Sequence, residues 1–293
     1  MANASKIVPI SGGFHVWTRR VGDSPIKMLL LHGGPGANHE YFEIFEDYLP
    51  PDGIEIYFYD QLGSYFSDQP NDPSLWNAHR FREEVEEVRR YLGLESFYLL
   101  GQSWGGALAI EYALEYQENL AGLIISNMTA SIPSYLKYIN ALRDLLPKDI
   151  VDTMRAYEEK GDLDAPQYID LVTEHLYKQH ICRCDPWPDA VNRAFAHTNA
   201  QVYNTMQGAH EFVFTGNLKD WDRWPDLHKI HVPTLVVSGR HDSMNPADIE
   251  EMGRRIPNAR VAICENGSHM SMWDDTEAYF RYIKDFVHAV AGQ

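Results

Sequence analysis

The stretch that decides the fold reads LLGQSWGG, residues 99–106, in which Ser103 stands between two glycines in a Gly-x-Ser-x-Gly pattern. The apolar residues 96–100 are typical of a buried strand, and apolar residues at helical spacing in 107–117 predict a helix. A chain that passes from strand to helix so quickly turns sharply, and glycines permit such a turn. In this setting the pattern predicts a nucleophile elbow, which exposes a serine at the top of a sheet. A Gly/Ser turn without chemistry is the alternative interpretation.

Strand-like and helix-like segments alternate along most of the chain. Strands are predicted at 27–31, 54–59, 96–100, 120–126, 234–238 and 260–264, and helices at 81–92, 107–117, 247–255 and 276–290. Such alternation predicts a mostly parallel sheet covered by helices on both faces. From about Thr129 to His231 the pattern changes to helical stretches rich in aromatic residues. The prediction is an α/β-hydrolase fold with a core at 1–128 and 232–293 and an inserted helical cap at 129–231.

Charge and hydropathy exclude several classes of partner. The 293 residues carry a net charge of −17, which argues against nucleic acid or an anionic membrane surface, because both need a basic face. No apolar run approaches the roughly 18 residues of a membrane span, and residues 1–17 lack the pattern of a signal peptide. We therefore expect no nucleic-acid or membrane partner, and the oligomeric state stays open.

The cysteines indicate the compartment and bear on metal binding. Three cysteines cannot all pair, and Cys182 and Cys184 are too close for an ordinary bridge, which favours a reducing cytoplasm. With His180 these two residues form an H-x-C-x-C cluster. The usual zinc spacing and a fourth ligand are missing. No metal or organic cofactor is expected.

A serine becomes a nucleophile when a base takes its proton and a third group orients that base. In this fold the partners follow strands in the order Ser, acid, His. Asp242 follows the fifth predicted strand and His269 the sixth. His241 is the main alternative base, but it precedes the acid; Asp248 is the alternative acid, but it opens a predicted helix. We predict a triad of Ser103, Asp242 and His269.

Acyl transfer also needs hydrogen-bond donors for the developing oxyanion. One donor in this fold is the backbone N–H after the nucleophile, here that of Trp104, and the other lies in the loop after an early strand. That loop is HGGPG, residues 32–36, where glycines let amides approach a ligand. Gly34 is the predicted second donor, and a plain turn is the alternative interpretation of HGGPG.

HGGPG at 32–36, YDQLGSYFSDQP at 59–70 and GQSWGG at 101–106 together resemble the proline iminopeptidase family, serine peptidases with the α/β-hydrolase fold. The likeness spans nearly the whole chain and includes MQGAHEFVFTG at 206–216. The resemblance implies removal of an N-terminal residue, often proline, from small peptides or aminoacyl amides. It also implies that acidic residues of the cap bind the free amino group of the substrate.

Residue by residue, the resemblance extends to the substrate site. Glu211 matches the cap glutamate of the family motif, and Gly33 and Tyr203 are further candidates for substrate binding. Ser243 directly follows the predicted acid, where some relatives carry a second glutamate, so half of the amine clamp is absent or supplied elsewhere. The bulky pair at 65–66 (Tyr-Phe) replaces small residues and predicts a narrower or reshaped site.

Two other functions remain open on sequence alone. An esterase or lactonase would use the same triad on a small molecule, for which a free amino group is irrelevant. A non-catalytic ligand-binding protein could keep the pocket, but the complete set of candidate catalytic residues disfavours it. Epoxide hydrolase or dehalogenase chemistry in its usual form is excluded, because it needs a carboxylate where Ser103 stands.

Overall fold

In the computed structural model, which describes residues 3–292, the chain is organised around an eight-stranded sheet. The strands are β1 (Asn3–Ile10), β2 (Phe14–Val21), β3 (Ile26–Leu31), β4 (Ile54–Asp60), β5 (Phe97–Gln102), β6 (Leu120–Ser126), β7 (Thr234–Gly239) and β8 (Ala259–Cys264). Their order across the sheet is β1-β2-β4-β3-β5-β6-β7-β8. Strands β3 to β8 are parallel, and the hairpin β1–β2 joins β4 antiparallel. The predicted mostly parallel sheet is confirmed.

Helices cover the sheet and fill the long connection between β6 and β7. They are α1 (Phe45–Tyr48), α2 (Ala78–Leu92), α3 (Trp104–Tyr116), α4 (Ile132–Asp144), α5 (Lys148–Lys160), α6 (Pro166–Val172), α7 (Lys178–His180), α8 (Asp189–Ala196), α9 (Ala200–Met206), α10 (Pro246–Arg255), α11 (Ser271–Asp274) and α12 (Thr276–Ala291). Within residues 3–292, none of them is both long and apolar enough to cross a membrane.

Both faces of the sheet are buried, as alternate residues of one strand show. Leu29 and Leu31 of β3 belong to an apolar cluster with α2, α3 and α10. Met28 and Leu30 of the same strand belong to a second cluster with α1 and α12. Side chains in a strand point alternately to the two faces, so a strand between two helical layers is apolar throughout.

Local sequence explains why α2 begins earlier than the predicted 81–92. The Asn77 side chain accepts a hydrogen bond of 3.0 Å from the Arg80 N–H and so caps the helix at its start. Gly93 ends the helix with a left-handed φ of 69°. Between these caps, Phe81, Val85 and Val88 are buried against the sheet.

The hairpin β1–β2 was not among the predicted strands. Most residues of β1 are exposed, and the buried residues of β2 are Val16, Thr18 and Val21. The signal that could have revealed the hairpin is the turn at 11–13 (Ser-Gly-Gly) between two runs of strand-forming residues.

Residues 129–231 contain α4 to α9 and no strand of the sheet among the residues the structure describes. The two ends of this segment are bonded to each other. The Ile132 N–H donates to the Trp221 carbonyl at 2.9 Å, and the Arg223 N–H donates to that of Ala130 at 2.8 Å. We propose that this segment is the predicted cap, which leaves the core and returns to it at one place.

A second attachment joins α8 to the loop before α1. Buried Glu40 accepts a hydrogen bond of 2.9 Å from Arg193 Nε and lies 2.6 Å from His197 Nδ1. Tyr65 stacks on His197 with ring centres 4.3 Å apart, and Phe66 is half exposed beside Trp17. Among the described residues that line the site's cavities, neither Tyr65 nor Phe66 is present. Tyr65 and Phe66 are thus not part of the cavity walls, and a narrower or reshaped site stays a prediction.

Candidate active site

Ser103 lies on the sharp turn between β5 and α3. Its φ and ψ are 57° and −129°, a conformation that residues with a side chain rarely adopt and that costs on the order of 1–3 kcal/mol. A Cβ on Gly101 would lie 1.9 Å from the Gly105 carbonyl oxygen, and one on Gly105 would lie 2.0 Å from that of Leu31. The glycines are therefore required, because the chain packs too closely here for any larger residue.

Asp242 and His269 reach the same edge of the sheet as Ser103, because they follow the parallel strands β7 and β8. His269 Nδ1 lies 2.8 Å from Asp242 Oδ1, and both side chains are buried. Gln102 Nε2, from the residue before Ser103, donates a hydrogen bond of 3.0 Å to the His269 carbonyl. Ser103 and His269 line one cavity. The fold thus gathers the three candidate residues in one place.

Asp242 is held by donors from distant parts of the chain. Its Oδ2 accepts hydrogen bonds from Asn127 Nδ2 at 2.7 Å and Ser238 Oγ at 2.6 Å, and its Oδ1 accepts one from the Met244 N–H at 3.0 Å. Burial acts to raise the pKa of this carboxyl, but His269 and the donors more than offset burial, so the pKa lies below its usual value. Asp242 is therefore a carboxylate at neutral pH.

The pKa of His269 is shifted in the opposite direction. Burial acts to lower it, while the Asp242 carboxylate and the more weakly coupled Glu211 carboxylate raise it. The two carboxylates prevail, and the pKa lies above the ordinary value of 6.5. His269 therefore carries a proton at a higher pH than a solvent-exposed histidine does.

The glycine loop after β3, residues 32–36, is linked by hydrogen bonds to Gln102, the residue before Ser103. The Gly33 N–H donates to the Tyr41 hydroxyl at 2.6 Å, and this hydroxyl donates to Gln102 Oε1 at 2.8 Å. Within residues 3–292, no acceptor is found for the N–H of Gly34 or of Trp104. The Trp104 N–H is free because the first residue of a helix has no intrahelical acceptor. These two donors are therefore available to a ligand.

A second glutamine ties the other side of the same loop to the helix after the elbow. Trp104 Nε1 donates to Gln61 Oε1 at 2.9 Å, and Gln61 Nε2 donates to the His32 carbonyl at 2.9 Å. The Gln61 N–H donates to His32 Nε2 at 3.1 Å. Burial lowers the pKa of His32 to about 4, so its ring is neutral and can accept this bond. The segments that carry Gly34 and Trp104 are thus braced against each other.

Most of the candidate residues face a cavity of about 620 Å³. Gly33, Gly34, Tyr203, Glu211 and His269 line it together with Ser103. A narrow, mostly apolar pocket begins beside the same serine and contains Trp104 and Glu211 in its wall. Asp242 lies behind His269 and lines neither space. Ser103 and Glu211 therefore stand where the two spaces meet.

Three comparisons place the chain among known proteins. The family model for the alpha/beta hydrolase fold matches residues 27–276. A proline iminopeptidase of Elizabethkingia meningoseptica is 47% identical in an alignment that covers 95% of this chain and 98% of that protein. The chain belongs to the proline iminopeptidase family. It is accordingly a hydrolase of the serine peptidase type, as the motifs predict.

Solved structures resemble this member of the proline iminopeptidase family over almost its entire length. The crystal structure of VinJ is 32% identical and covers 98% of this chain and 99% of its own, with a TM-score of 0.93. The crystal structure of the proline iminopeptidase of Mycobacterium smegmatis is 29% identical, covers 98% of each chain and has a TM-score of 0.90. The α/β-hydrolase fold is thereby confirmed.

Glu211 of this proline iminopeptidase family member is embedded among tyrosines. Its Oε1 accepts a hydrogen bond of 2.7 Å from the Tyr203 hydroxyl, its N–H donates to the Tyr177 hydroxyl, and its carbonyl accepts from that of Tyr135. Burial raises the pKa of the carboxyl above its usual value, while the proximity of His269 and the Tyr203 bond act in the opposite direction. A partly desolvated carboxylate here attracts a cation.

Ser243 occupies the position where some family members carry a second glutamate. It is buried, and its hydroxyl lies 3.4 Å from Asp242 Oδ1. Besides Glu211, the larger cavity has one other carboxylate among its described lining residues, that of Asp164. Asp164 is exposed and lies at the rim of the cavity. Within the described part of the chain, the acids that line the larger cavity are therefore Glu211, which also lines the apolar pocket, and the exposed Asp164.

The alternative residues lie elsewhere. His241 is exposed, and Asp248 lies near Thr129 Oγ1 and accepts from Asn245 Nδ2 instead of meeting His269. His180 Nδ1 lies 2.9 Å from the His241 carbonyl. Between residues 3 and 292, no group of three or more His, Cys, Asp and Glu side chains is arranged to hold a metal ion.

Proposed function

We propose that this chain is an aminopeptidase that removes N-terminal proline, or another small apolar residue, from peptides or aminoacyl amides through an acyl-enzyme. The observation that carries the proposal is that Glu211 and Ser103 both line the apolar pocket and the larger cavity. A substrate α-ammonium on Glu211 holds the adjacent carbonyl near the serine. The small side chain then enters the pocket lined by Met128, Phe214 and Leu218.

The proposed reaction uses side chains and backbone amides alone. Ser103 Oγ attacks the carbonyl carbon as His269 takes its proton, while the Asp242 carboxylate holds the imidazole and stabilises its charge. The N–H groups of Gly34 and Trp104 bind the oxyanion. His269 then gives the proton to the leaving nitrogen as the C–N bond breaks. Water next attacks the acyl carbon as His269 takes its proton, and His269 returns that proton to Ser103 Oγ as the ester bond breaks and the amino acid leaves.

Glu211 favours this function over an esterase or lactonase with the same triad. An uncharged ester gives no reason to bury a carboxylate beside the nucleophile, because desolvation of an unpaired charge is costly. The test is a substrate panel of proline and alanine anilides, their N-acetylated forms and simple acetate esters. The proposal is supported if kcat/KM for the free-amine anilides is well above that for the N-acetylated anilides and the acetate esters. A higher kcat/KM for the esters contradicts it.

We expect the acid limb of kcat/KM to have its midpoint above pH 6.5, because the pKa of His269 is raised and its neutral form is the base. The measurement is hydrolysis of a proline anilide from about pH 5 to 9. Glu211→Gln removes one of the carboxylates that raise this pKa, so the midpoint should move to lower pH. A midpoint at or below 6.5 in the unaltered enzyme would contradict the assignment.

We also expect activity to survive exhaustive dialysis against EDTA, because the proposed steps are complete without a metal ion. The assay is hydrolysis of a proline anilide before and after dialysis, with and without added zinc. Activity that is lost with EDTA and returns with zinc would contradict this proposal and point to His180, Cys182 and Cys184 as ligands.

The proposed location is the reducing cytoplasm. Cys182, Cys184 and Cys264 are free thiols in the structure, which agrees with the expectation drawn from the sequence. A small peptide or aminoacyl amide is the proposed partner; nucleic acid and membranes are not expected because of the net charge of −17.

A further inference from the structure

The larger cavity is the space that receives the leaving group, if the proposed function holds. His269 must lie next to the leaving nitrogen to protonate it, and His269 lines the larger cavity but not the apolar pocket. The residue that is released as the free amino acid occupies the pocket beside Glu211. Whatever follows the scissile bond therefore extends into the cavity of about 620 Å³.

The wall of this cavity is unbalanced in charge. No lysine or arginine is found among the described residues that line it, whereas two carboxylates, those of Glu211 and Asp164, are. The wall also includes the neutral side chains of Thr198, Asn204 and Thr215 and the weakly basic His210. Burial lowers the pKa of His210 to about 4, so this ring adds no positive charge at neutral pH.

The arginines behind the wall are engaged by other groups. Arg143 pairs with Glu158 at 2.9 Å and donates to the Phe212 carbonyl. Arg193 pairs with Glu40 and Glu43 on the core side of α8. Neither guanidinium reaches into the cavity, and the chain as a whole carries a net charge of −17. An anion in the cavity would therefore meet neither a lysine nor an arginine among the described lining residues.

We propose that the leaving-group side of this site discriminates against carboxylates. A free dipeptide carries its carboxylate one residue beyond the scissile bond, inside the cavity and without a lysine or arginine partner, which is unfavourable for a desolvated charge near like charges. The preferred substrates are aminoacyl amides and peptides with neutral or cationic leaving groups, or with a carboxylate far enough away to lie in solvent. Asp164, at the rim between α5 and α6, reinforces this selection.

The test compares prolylglycine with prolylglycinamide, which differ in one charge and share the amine, the proline and the scissile bond. We expect kcat/KM for the amide to be at least about tenfold higher at low salt, because like charges brought together at a binding site are repelled strongly. The ratio should fall in about 0.5 M salt, which screens charges at an open cavity.

Asp164→Lys supplies the missing cation, and Asp162→Lys is its matched control, since Asp162 is exposed and does not line the cavity. We expect Asp164→Lys to reduce the amide-to-acid ratio at least about threefold and Asp162→Lys to leave it near the original value. A ratio near one in the unaltered enzyme, or a ratio that both lysine variants change equally, would overturn the inference. If the enzyme cleaves neither dipeptide derivative nor a proline anilide, the proposed aminopeptidase function itself fails.

Discussion

Ser103→Ala is expected to abolish labelling by a fluorophosphonate probe and to lower kcat on a proline anilide by about 10⁴–10⁶-fold. The serine stands on a strained turn and lines both cavities; His269 lines the larger one, with Asp242 bonded to it from behind. Removing its hydroxyl removes the atom that forms the acyl-enzyme. The turn itself survives, because alanine keeps the Cβ that the site already accommodates.

The control is Ser96→Ala, at the opposite end of β5, where the serine is exposed. This variant should be labelled by the probe, and should hydrolyse the proline anilide, as fast as the unaltered enzyme. Labelling of Ser103→Ala at the original rate would mean that another residue is the nucleophile. A labelled peptide identified by mass spectrometry would then show which one.

Glu211→Gln is expected to lower kcat/KM for free-amine substrates by about 30- to 5000-fold, which corresponds to about 2–5 kcal/mol. Glutamine keeps the shape and can still accept the Tyr203 hydrogen bond, so the lost quantity is the attraction for the α-ammonium. Because Ser243 stands where a second acid could lie, binding of the α-ammonium depends mainly on the Glu211 carboxylate. The measurement is kcat/KM on proline and alanine anilides.

N-acetylated anilides and simple esters provide the matched controls for Glu211→Gln, since they carry no ammonium group and should be little affected. The melting temperature should stay nearly unchanged, because burial already raises the pKa of this carboxyl and its charge does not stabilise the fold. Equal losses on both substrate types, or a large drop in melting temperature alone, would show that Glu211 supports the cap instead of binding the amine.

The sheet and the positions of Ser103, Asp242 and His269 could be predicted because each depends on a local signal. An apolar run followed by a polar loop indicates a strand end, and parallel strands bring their carboxyl ends to one edge. The chain order Ser, acid, His that is typical of this fold then selected the candidate groups. The exposed hairpin β1–β2 has a weaker pattern, because it lies at the end of the sheet and few of its side chains are fully buried.

The residues that brace the site could not be predicted in this way. Asn127 contacts Asp242 across 115 positions of the chain, and Gln102 reaches His269 across 167. Gln61 joins His32 and Trp104 through three hydrogen bonds that no spacing in the sequence encodes. A single amide side chain has no periodicity or charge that marks it. Its function follows only from what the folded chain places beside it.

The two hydrogen bonds that join 130–132 to 221–223 have an evolutionary consequence. They hold the two ends of the inserted segment together at the point where it leaves the sheet and returns to it. The segment between these ends can therefore change in sequence or length while β6 and β7 keep their register. Ser103, Asp242 and His269 all lie outside this segment, whereas Glu211 and much of the pocket wall lie inside it. If the proposed catalytic roles hold, new substrate ranges can therefore arise in such a lineage by changes within one contiguous segment, while the proposed catalytic residues stay the same.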